Sequence, residues 1–196
     1  MNRELTLKTI GFFLISSLLL TSCDEENYTP KPKGYFRIDL PEKNYHKIEK
    51  DCPFIFEVPD YANIEQDPRN PNNKCWFNIN FTSLNASIYL SYKPVNNDLN
   101  IFLEDSRTLA FKHTVKAIDI QQKTINNPDK NMFGLIYDIK GDAASEYQFH
   151  LTDSTNHFLR GSLYFNNAPN QDSIQPVLNF IKQDIEHLFE TFEWKN

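Results

Sequence analysis

The sequence predicts an α+β domain in which a mostly antiparallel sheet of about seven strands packs with two amphipathic helices. Three observations support this prediction. Short segments of alternating apolar and polar residues are separated by turn-forming segments about every 10 residues, which is typical of an antiparallel meander. Two longer segments place apolar residues three or four positions apart, which is the period of an α-helix. The chain has 196 residues, 40% of them hydrophobic, which is enough for one substantial core.

The strand pattern recurs along the chain, and several strands have apolar residues on both faces. A sheet with this pattern needs a covering layer on each side. The segment Tyr61–Lys74 is rich in Asn, Asp and Pro, which favour turns, so it is expected to be a loop. Strands are expected at Tyr35–Leu40, Phe54–Val58, Trp76–Phe81, Ala86–Tyr92, Ile118–Ile125, Phe133–Lys140, Ser145–Thr152 and His157–Phe165.

Two helices complete the predicted domain. The first is expected to begin at Leu99, with Asn97 or Asp98 as its N-cap, and the second extends from Ile174 to Phe192 after the cap residue Ser173. A meander followed by an amphipathic C-terminal helix resembles the α/β/α sandwich of the Mog1/PsbP type. The apolar stripe of the first helix consists of Leu99, Phe102, Leu103, Ser106, Leu109, Ala110, His113 and Ala117.

Composition excludes several classes of protein. The net charge is −6 and no block of Lys or Arg stands out, whereas a nucleic-acid-binding surface must be basic to displace counterions from phosphates. The apolar segment closest in length to a membrane-spanning helix lies at the N-terminus. The sequence therefore does not predict a polytopic membrane protein.

The N-terminal segment is expected to be an export signal. Ile10–Leu20 is apolar but too short for a helix to cross a hydrocarbon core of about 30 Å. Leu20–Cys23 has the residue types of a lipobox and resembles the processing site of bacterial lipoproteins, which predicts a signal peptide at 1–22 and acylation of Cys23. Several acyl chains on one residue anchor a protein stably. A plain secretory signal that contains a Cys is the alternative.

A tether and one globular domain are expected after the signal. Residues 23–33 are polar and contain Pro30 and Pro32, which favour an extended linker, and residues 34–196 form the domain. The acidic run Asp24–Glu26 is similar to the surface-export signals of Bacteroidetes lipoproteins, and a solvated linker is the other interpretation.

Two further cysteines, Cys52 and Cys75, are expected to form a disulfide because export implies an oxidising compartment. Closing a loop of this length removes roughly 3 kcal/mol of conformational entropy from the unfolded state. Two unpaired buried thiols are the alternative.

The sequence predicts no catalytic site, metal site or cofactor. Ser106 and His113 share a helical stripe but lie about 10 Å apart along the helix axis, too far for direct activation. The chain has neither a Gly-x-Ser-x-Gly elbow nor a glycine-rich phosphate loop. His150 and His157 flank a predicted turn, where ordinary sheet histidines are favoured over a metal-binding pair.

One short motif, Asp153-Ser154-Thr155, resembles the O-glycosylation acceptor pattern of exported Bacteroidetes proteins. Its place in a predicted turn makes Ser154 the candidate acceptor, although so short a pattern also occurs by chance.

Five segments carry a family resemblance: Pro30–Pro41, Cys52–Phe54, Leu90–Pro94, Leu103–Val115 and Asp153–Phe165. Together they resemble the gliding-motility lipoprotein GldD family of Bacteroidetes, and with the lipobox they span essentially the whole mature chain. The resemblance implies an envelope lipoprotein needed for surface gliding, with a supporting role beside a motor linked to type IX secretion and no known enzymatic activity. Its anchor is expected in the outer membrane, on either the periplasmic or the surface side.

Two functions follow as hypotheses. The first is a non-catalytic module that binds or stabilises other gliding and secretion proteins, with the candidate interface residues Arg37, Arg107 and Arg160. Internal salt bridges to Asp39, Asp105 or neighbouring acids are the alternative role of these arginines.

The second hypothesis is an envelope small-ligand or glycan binder that uses the aromatic sheet and the Tyr61–Lys74 loop. An open pocket lined by Trp76, Tyr89 and Tyr92 would favour this function, and burial of these rings under helices would not.

Overall fold

The domain is organised around a seven-stranded antiparallel sheet. The computed structural model describes residues 38–48, 50–167 and 170–195. The sheet has the spatial order β4-β5-β6-β10-β9-β8-β7, and β1 pairs with β3 and β2 with β11 in two small additional sheets. In chain order the elements are β1 (Tyr45–Lys47), β2 (Phe54–Ile55), β3 (Glu57–Pro59), β4 (Asn63–Gln66), β5 (Trp76–Phe81), β6 (Ala86–Pro94), α1 (Leu99–Phe111), β7 (Ala117–Asn127), β8 (Met132–Gly141), β9 (Tyr147–Thr152), β10 (His157–Phe165), α2 (Gln171–Thr191) and β11 (Glu193–Trp194).

Helix α2 covers one face of the sheet, called here the α2 face. Alternate residues of the strands point to it, because successive side chains of a strand point to opposite faces. Phe149 packs edge-on against Phe189 of α2, with ring centroids 4.9 Å apart. The principal core lies between these layers and includes the fully buried residues Phe77, Ile79, Ile88, Leu163, Leu178, Ile181 and Ile185.

Helix α1 lies against the opposite face, called here the α1 face. Phe102 contacts Phe158 at 5.5 Å between ring centroids, and Phe111 meets Tyr137 at 6.4 Å. The smaller core on this side contains Ala110, Tyr137, Ile139 and Ala143. Within the described ranges, a sheet with one α-helix on each side confirms the α+β prediction of about seven antiparallel strands and two helices.

One of the two predicted helix caps differs from the observed one. Asn170 is the N-cap of α2, and its side chain accepts a hydrogen bond from the backbone N–H of Ser173, so the prediction of Ser173 as the cap is wrong. Asp98, one of the two predicted candidates, is the N-cap residue of α1, but its carboxylate accepts from the N–H of Asn96 and makes no capping hydrogen bond to the helix. The amphipathic patterns predict both helices. The cap residues are harder to predict because several polar residues precede each helix.

Two strand predictions near the N-terminus are also corrected. Residues 38–40 of the expected strand Tyr35–Leu40 are not in a strand, and 35–37 lie outside the described residues. The expected strand Phe54–Val58 is divided into β2 and β3, because its two ends pair with different partners, β11 and β1. Phe56 lies at the break, fully buried.

The segment Tyr61–Lys74 is not wholly a loop, since it contains the edge strand β4. Ile64 of β4 pairs with Ile79 of β5 and packs on the main core. The loop proper follows β4 and returns to the sheet at Cys75, which is bonded to Cys52 with the Cα atoms 5.6 Å apart. The expected disulfide therefore joins the end of this loop to the segment that precedes β2.

A buried carboxylate on α2 holds the N-terminal part of the domain. Asp184 accepts hydrogen bonds from the hydroxyls of Tyr45 and Tyr61 and pairs with the ammonium of Lys43. Its side chain is 2% exposed. Burial, and then the bond to Asp184, raises the pKa of both tyrosines.

No helix within the described ranges is long and apolar enough to cross a membrane.

Candidate functional site

Helix α1 covers only part of its sheet face and leaves an open cleft beside it. The helix packs mainly on β9 and β10, and it reaches β6 at Lys93, whose ammonium lies 4.5 Å from the ring centroid of Phe102. The uncovered surface forms a cleft of about 820 Å³. This volume lies within the usual range for small-molecule sites, about 300–1,000 Å³.

Strand register places the residues of the cleft floor in two rows. Trp76 of β5 is opposite Ser91 of β6, which is opposite Arg160 of β10. The next row consists of Asn78, Tyr89 and Ser162. Residues of one row lie side by side because paired positions bring side chains on the same face about 5 Å apart.

Aromatic rings form the apolar part of the floor. Tyr89 and Tyr164 meet edge to face with ring centroids 5.5 Å apart. Trp76 also lines the cleft, and its indole N–H donates a 2.6 Å hydrogen bond to the backbone carbonyl of Tyr92. Tyr92 itself lies on the α2 face, where its ring contacts Phe54, so of the three aromatic residues named from the sequence Trp76 and Tyr89 line the cleft and Tyr92 does not.

The loop after β4 forms one wall of the cleft. Asp67 is buried and accepts hydrogen bonds from the backbone N–H of Arg69 at 3.0 Å and the side-chain amide of Asn70 at 2.8 Å. The guanidinium of Arg69 lies 5.7 Å from the centroid of the Tyr89 ring, within cation–π distance. The carboxylate of Asp67 therefore serves its own loop, while Arg69 faces the floor.

Arg160 lies at the boundary between the covered and the open part of the α1 face. Its register partners are Ser91, which lines the cleft, and His150 on the other side. Its Nη2 donates a 2.6 Å hydrogen bond to Oε1 of Gln148. No Asp or Glu of the described residues lies within ion-pair distance of Arg160, and burial lowers its pKa.

Polar atoms without partners collect around Arg160. Seven buried side-chain atoms of the described residues have no hydrogen-bond partner, and four of them belong to α1 or to the strand residues of its face. Native proteins leave few such atoms unpaired, so a concentration of them calls for an explanation. The four are Ser106 Oγ, Gln148 Nε2, His150 Nδ1 and Ser162 Oγ.

His150 and His157 lie on opposite faces of the sheet and do not form a pair. His150 stacks on Phe158 on the α1 face, whereas His157 lies on the α2 face, stacked on Trp194 and bonded to the Tyr92 hydroxyl. Burial, and then the charge of Arg160, lowers the pKa of His150 to about 4. No group of three or more His, Cys, Asp or Glu in the described part of the chain could hold a metal ion. Ser106 Oγ has no hydrogen-bond partner among the described residues.

The other sites from the sequence are separate from the cleft. Arg107 is exposed on α1 and pairs at 3.6 Å with Glu104 rather than with Asp105. Its guanidinium lies 5.1 Å from the ring centroid of Phe111. Cys23 and Arg37 lie outside the described residues.

Ser154 lies exposed in the turn between β9 and β10. Oδ1 of the neighbouring Asp153 accepts hydrogen bonds from the backbone N–H groups of Thr155, Asn156 and His157. The Asp of the candidate glycosylation motif thus has a structural role in the turn, and the Ser154 hydroxyl faces solvent at a position with φ 71°.

Sequence reasoning had singled out Arg160 and the aromatic rings Trp76 and Tyr89 but missed the polar members of the cleft. Their signal is the period of two along each strand, which puts Ser91 and Ser162 on the same face as Tyr89 and Arg160. The missed residues are Arg69, Asn78, Ser91, Ser162 and Tyr164, which line the cleft, and Gln148, which accepts the hydrogen bond of Arg160.

Comparison with known proteins supplies the context for this site. No curated protein matches the chain. The chain is similar to the solution structure of cyanobacterial PsbP (CyanoP) from Synechocystis sp. PCC 6803, with a TM-score of 0.47 and 8% sequence identity, over 90% of this chain and 99% of that one. The family model described as gliding motility lipoprotein GldD matches residues 25–194. The match covers most of the chain, which therefore belongs to the gliding motility lipoprotein GldD family.

Proposed function

We propose that this protein is a lipid-anchored, non-catalytic interaction component of the gliding machinery, linked to type IX secretion. In this proposal residues 1–22 are the signal peptide, Cys23 carries the acyl chains that hold the protein at the outer membrane, and 23–33 tether the domain 34–196. Membership of a gliding-motility lipoprotein family supports the setting. Exposed apolar side chains around α1 are the observation that carries the interaction role.

These side chains form what is called here the α1 surface, comprising Ile101, Leu109, Val115 and Ile118. Val115 is 89% exposed and Ile118 87% exposed. Single exposed apolar residues are ordinary, but four within one 18-residue stretch of chain favour a contact surface. Arg107, on the same helix, has an exposed carboxylate as its ion-pair partner, and such a pair contributes little to stability.

The occupant proposed for the α1 surface is another envelope protein of the gliding machinery. The test is crosslinking and affinity purification of the full-length lipoprotein from its own membranes. Val115→Asp and Arg107→Ala are expected to lose gliding or secretion components that the wild type recovers. Gln122→Asp, which adds the same charge at an exposed position of β7, is the matched control. Equal recovery by all variants would show that the α1 surface is not the interface.

The open cleft favours a second function, an envelope binder of a small ligand or glycan. The combination of Trp76, Tyr89 and Tyr164 with nearby amides and hydroxyls is typical of a binding site with an apolar floor and a few polar contacts. Tyr89→Ala and Tyr164→Ala are expected to abolish binding in a glycan array with the full-length protein, and Val115→Asp is expected to retain it. Binding that survives both tyrosine substitutions would contradict this function.

A further inference from the structure

The unpaired charge of Arg160 points to the chemical class of the ligand. We propose that the cleft binds an acidic saccharide and that Arg160 holds its carboxylate, an inference that rests on the ligand-binding function proposed above.

Arg160 is oriented by the protein but not neutralised by it. Taking a charge out of water is costly unless a partner of opposite charge compensates for it. The described residues offer the guanidinium one hydrogen-bond acceptor, the neutral amide of Gln148. Its register partners on the neighbouring strands are Ser91 and His150, neither of which is acidic. A bound anion would supply the missing partner.

A second observation points to a ligand at the same place. Ser162 is 2% exposed, lies on the cleft floor and has a hydroxyl without a partner. Its register partner on β9 is Gln148, whose side-chain N–H₂ is also without a partner. Donors left unpaired beside a partly buried cation have the arrangement of an anion site awaiting its acceptor atoms.

The net charge of the cleft has the opposite sign to the net charge of the whole chain. The charged side chains that line it are Asp67, Arg69 and Arg160, and Asp67 is engaged by its own loop and pairs with Arg69 at 3.4 Å, so Arg160 supplies the uncompensated charge. The cleft is thus cationic, while the chain has a net charge of −6. Because the overall field repels anions, an anion that binds here must do so through local contacts rather than through general attraction.

The floor suits a saccharide rather than a peptide. Asn78, Ser91 and Asn166 offer amide and hydroxyl groups for sugar hydroxyls beside the rings of Tyr89 and Tyr164. The cleft lies on the face of the sheet and not along an edge, so a peptide could not bind by adding a strand. The planar fork of an arginine matches a carboxylate with two parallel hydrogen bonds.

The test is isothermal titration calorimetry with the full-length lipoprotein in detergent micelles. The probes are trimers of galacturonic, glucuronic and mannuronic acid, each compared with the neutral trimer of the parent sugar. At least one acidic trimer is expected to bind about tenfold or more tightly than its neutral counterpart. Arg160→Gln is expected to remove this preference, Arg160→Lys to retain part of it, and Arg107→Gln, the matched loss of one charge outside the cleft, to leave it unchanged.

Each other outcome has a defined meaning. Equal binding of acidic and neutral trimers, unaffected by Arg160→Gln, would overturn the carboxylate inference and leave the ligand-binding function standing. Absence of binding by every trimer would overturn both. A preference for the acid that Arg107→Gln abolishes as fully as Arg160→Gln would place the anion outside the cleft and contradict the inference.

Discussion

Nη2 of Arg160 donates a 2.6 Å hydrogen bond to Oε1 of Gln148 on the neighbouring strand. Arg160 is partly buried, and this amide oxygen is the hydrogen-bond acceptor that the described residues provide for its guanidinium. The bond fixes the direction of the guanidinium without cancelling its charge. Arg160 is therefore positioned at the cleft at some cost in stability, which is the arrangement expected of a binding residue and not of a structural one.

Arg160→Met tests this interpretation through stability. The substitution keeps most of the side-chain volume. It removes the desolvation cost of the charge, which stabilises the protein, and leaves one acceptor of Gln148 unpaired, which destabilises it, and each effect is about 1–2 kcal/mol. The free energy of unfolding is expected to stay within about 1 kcal/mol of the wild type or to rise. Urea denaturation of the full-length protein measures it. A loss of several kcal/mol would assign Arg160 a structural role.

Glu146→Gln is expected to stabilise the protein at alkaline pH. Burial raises the pKa of Glu146 from 4.5 to about 7, and its Oε2 has no partner. A carboxyl group whose folded pKa is raised contributes stability below its unfolded pKa, and this contribution is lost as the pH rises through the folded pKa. The wild type should therefore lose about 1–3 kcal/mol from this group between pH 4.5 and 8. The variant should match the wild type near pH 4.5 and exceed it at pH 8.

The control for this experiment is Glu186→Gln, at an exposed carboxylate of α2. Urea denaturation at both pH values should separate the two variants at pH 8. If they have the same free energy of unfolding there, Glu146 titrates normally and the prediction fails.

His150 should produce the opposite pH dependence. Its pKa is lowered from 6.5 to about 4, mainly by burial and also by Arg160. A lowered His pKa contributes stability above the unfolded pKa, and this stability is lost as the pH falls from 6.5 towards 4 because the unfolded state takes up the proton first. Because the positive charge of Arg160 contributes to the lowered pKa of His150, Arg160→Gln is expected to raise that pKa, which an NMR titration of the imidazole would measure. An unchanged His150 titration would show that the two side chains are not electrostatically coupled.

Much of the fold could be predicted from the sequence, because the periodic patterns of β5 to β10 and of both helices are strong. The cleft could not be, since it depends on how much of the sheet α1 covers, and this is set by tertiary contacts such as Phe102 with Phe158. Arg160 was identified as a candidate, but its missing acidic partner is a property of the three-dimensional neighbourhood. The break of the expected strand at Phe56 has the same origin, because two different pairing partners divide it.

Asp184→Ala should be strongly destabilising. The side chain is 2% exposed and accepts from Tyr45 and Tyr61 while pairing with Lys43, so its removal takes this acceptor from two hydroxyls and leaves the Lys43 ammonium its bond to the carbonyl of Phe180. Because Lys43 is 23% exposed, the expected loss lies at the lower end of the range for a broken buried pair, about 3 kcal/mol. The measurement is the urea midpoint, with exposed Glu186→Ala on the same helix as the control. A change of less than about 1 kcal/mol would mean that the cluster adds little to stability.

The disulfide should control both stability and the wall of the cleft. Cys75 ends the loop that carries Asp67 and Arg69, and its bond to Cys52 fixes that end of the loop to the segment before β2. Replacing both cysteines with Ala removes the cross-link from the unfolded state and is expected to cost about 2–4 kcal/mol. Because the loop can then move away from Tyr89, any ligand of the cleft should also bind more weakly. Denaturation and calorimetry of the double variant measure the two effects, and wild-type stability together with wild-type affinity would show that the loop is held by its own hydrogen bonds at Asp67 instead.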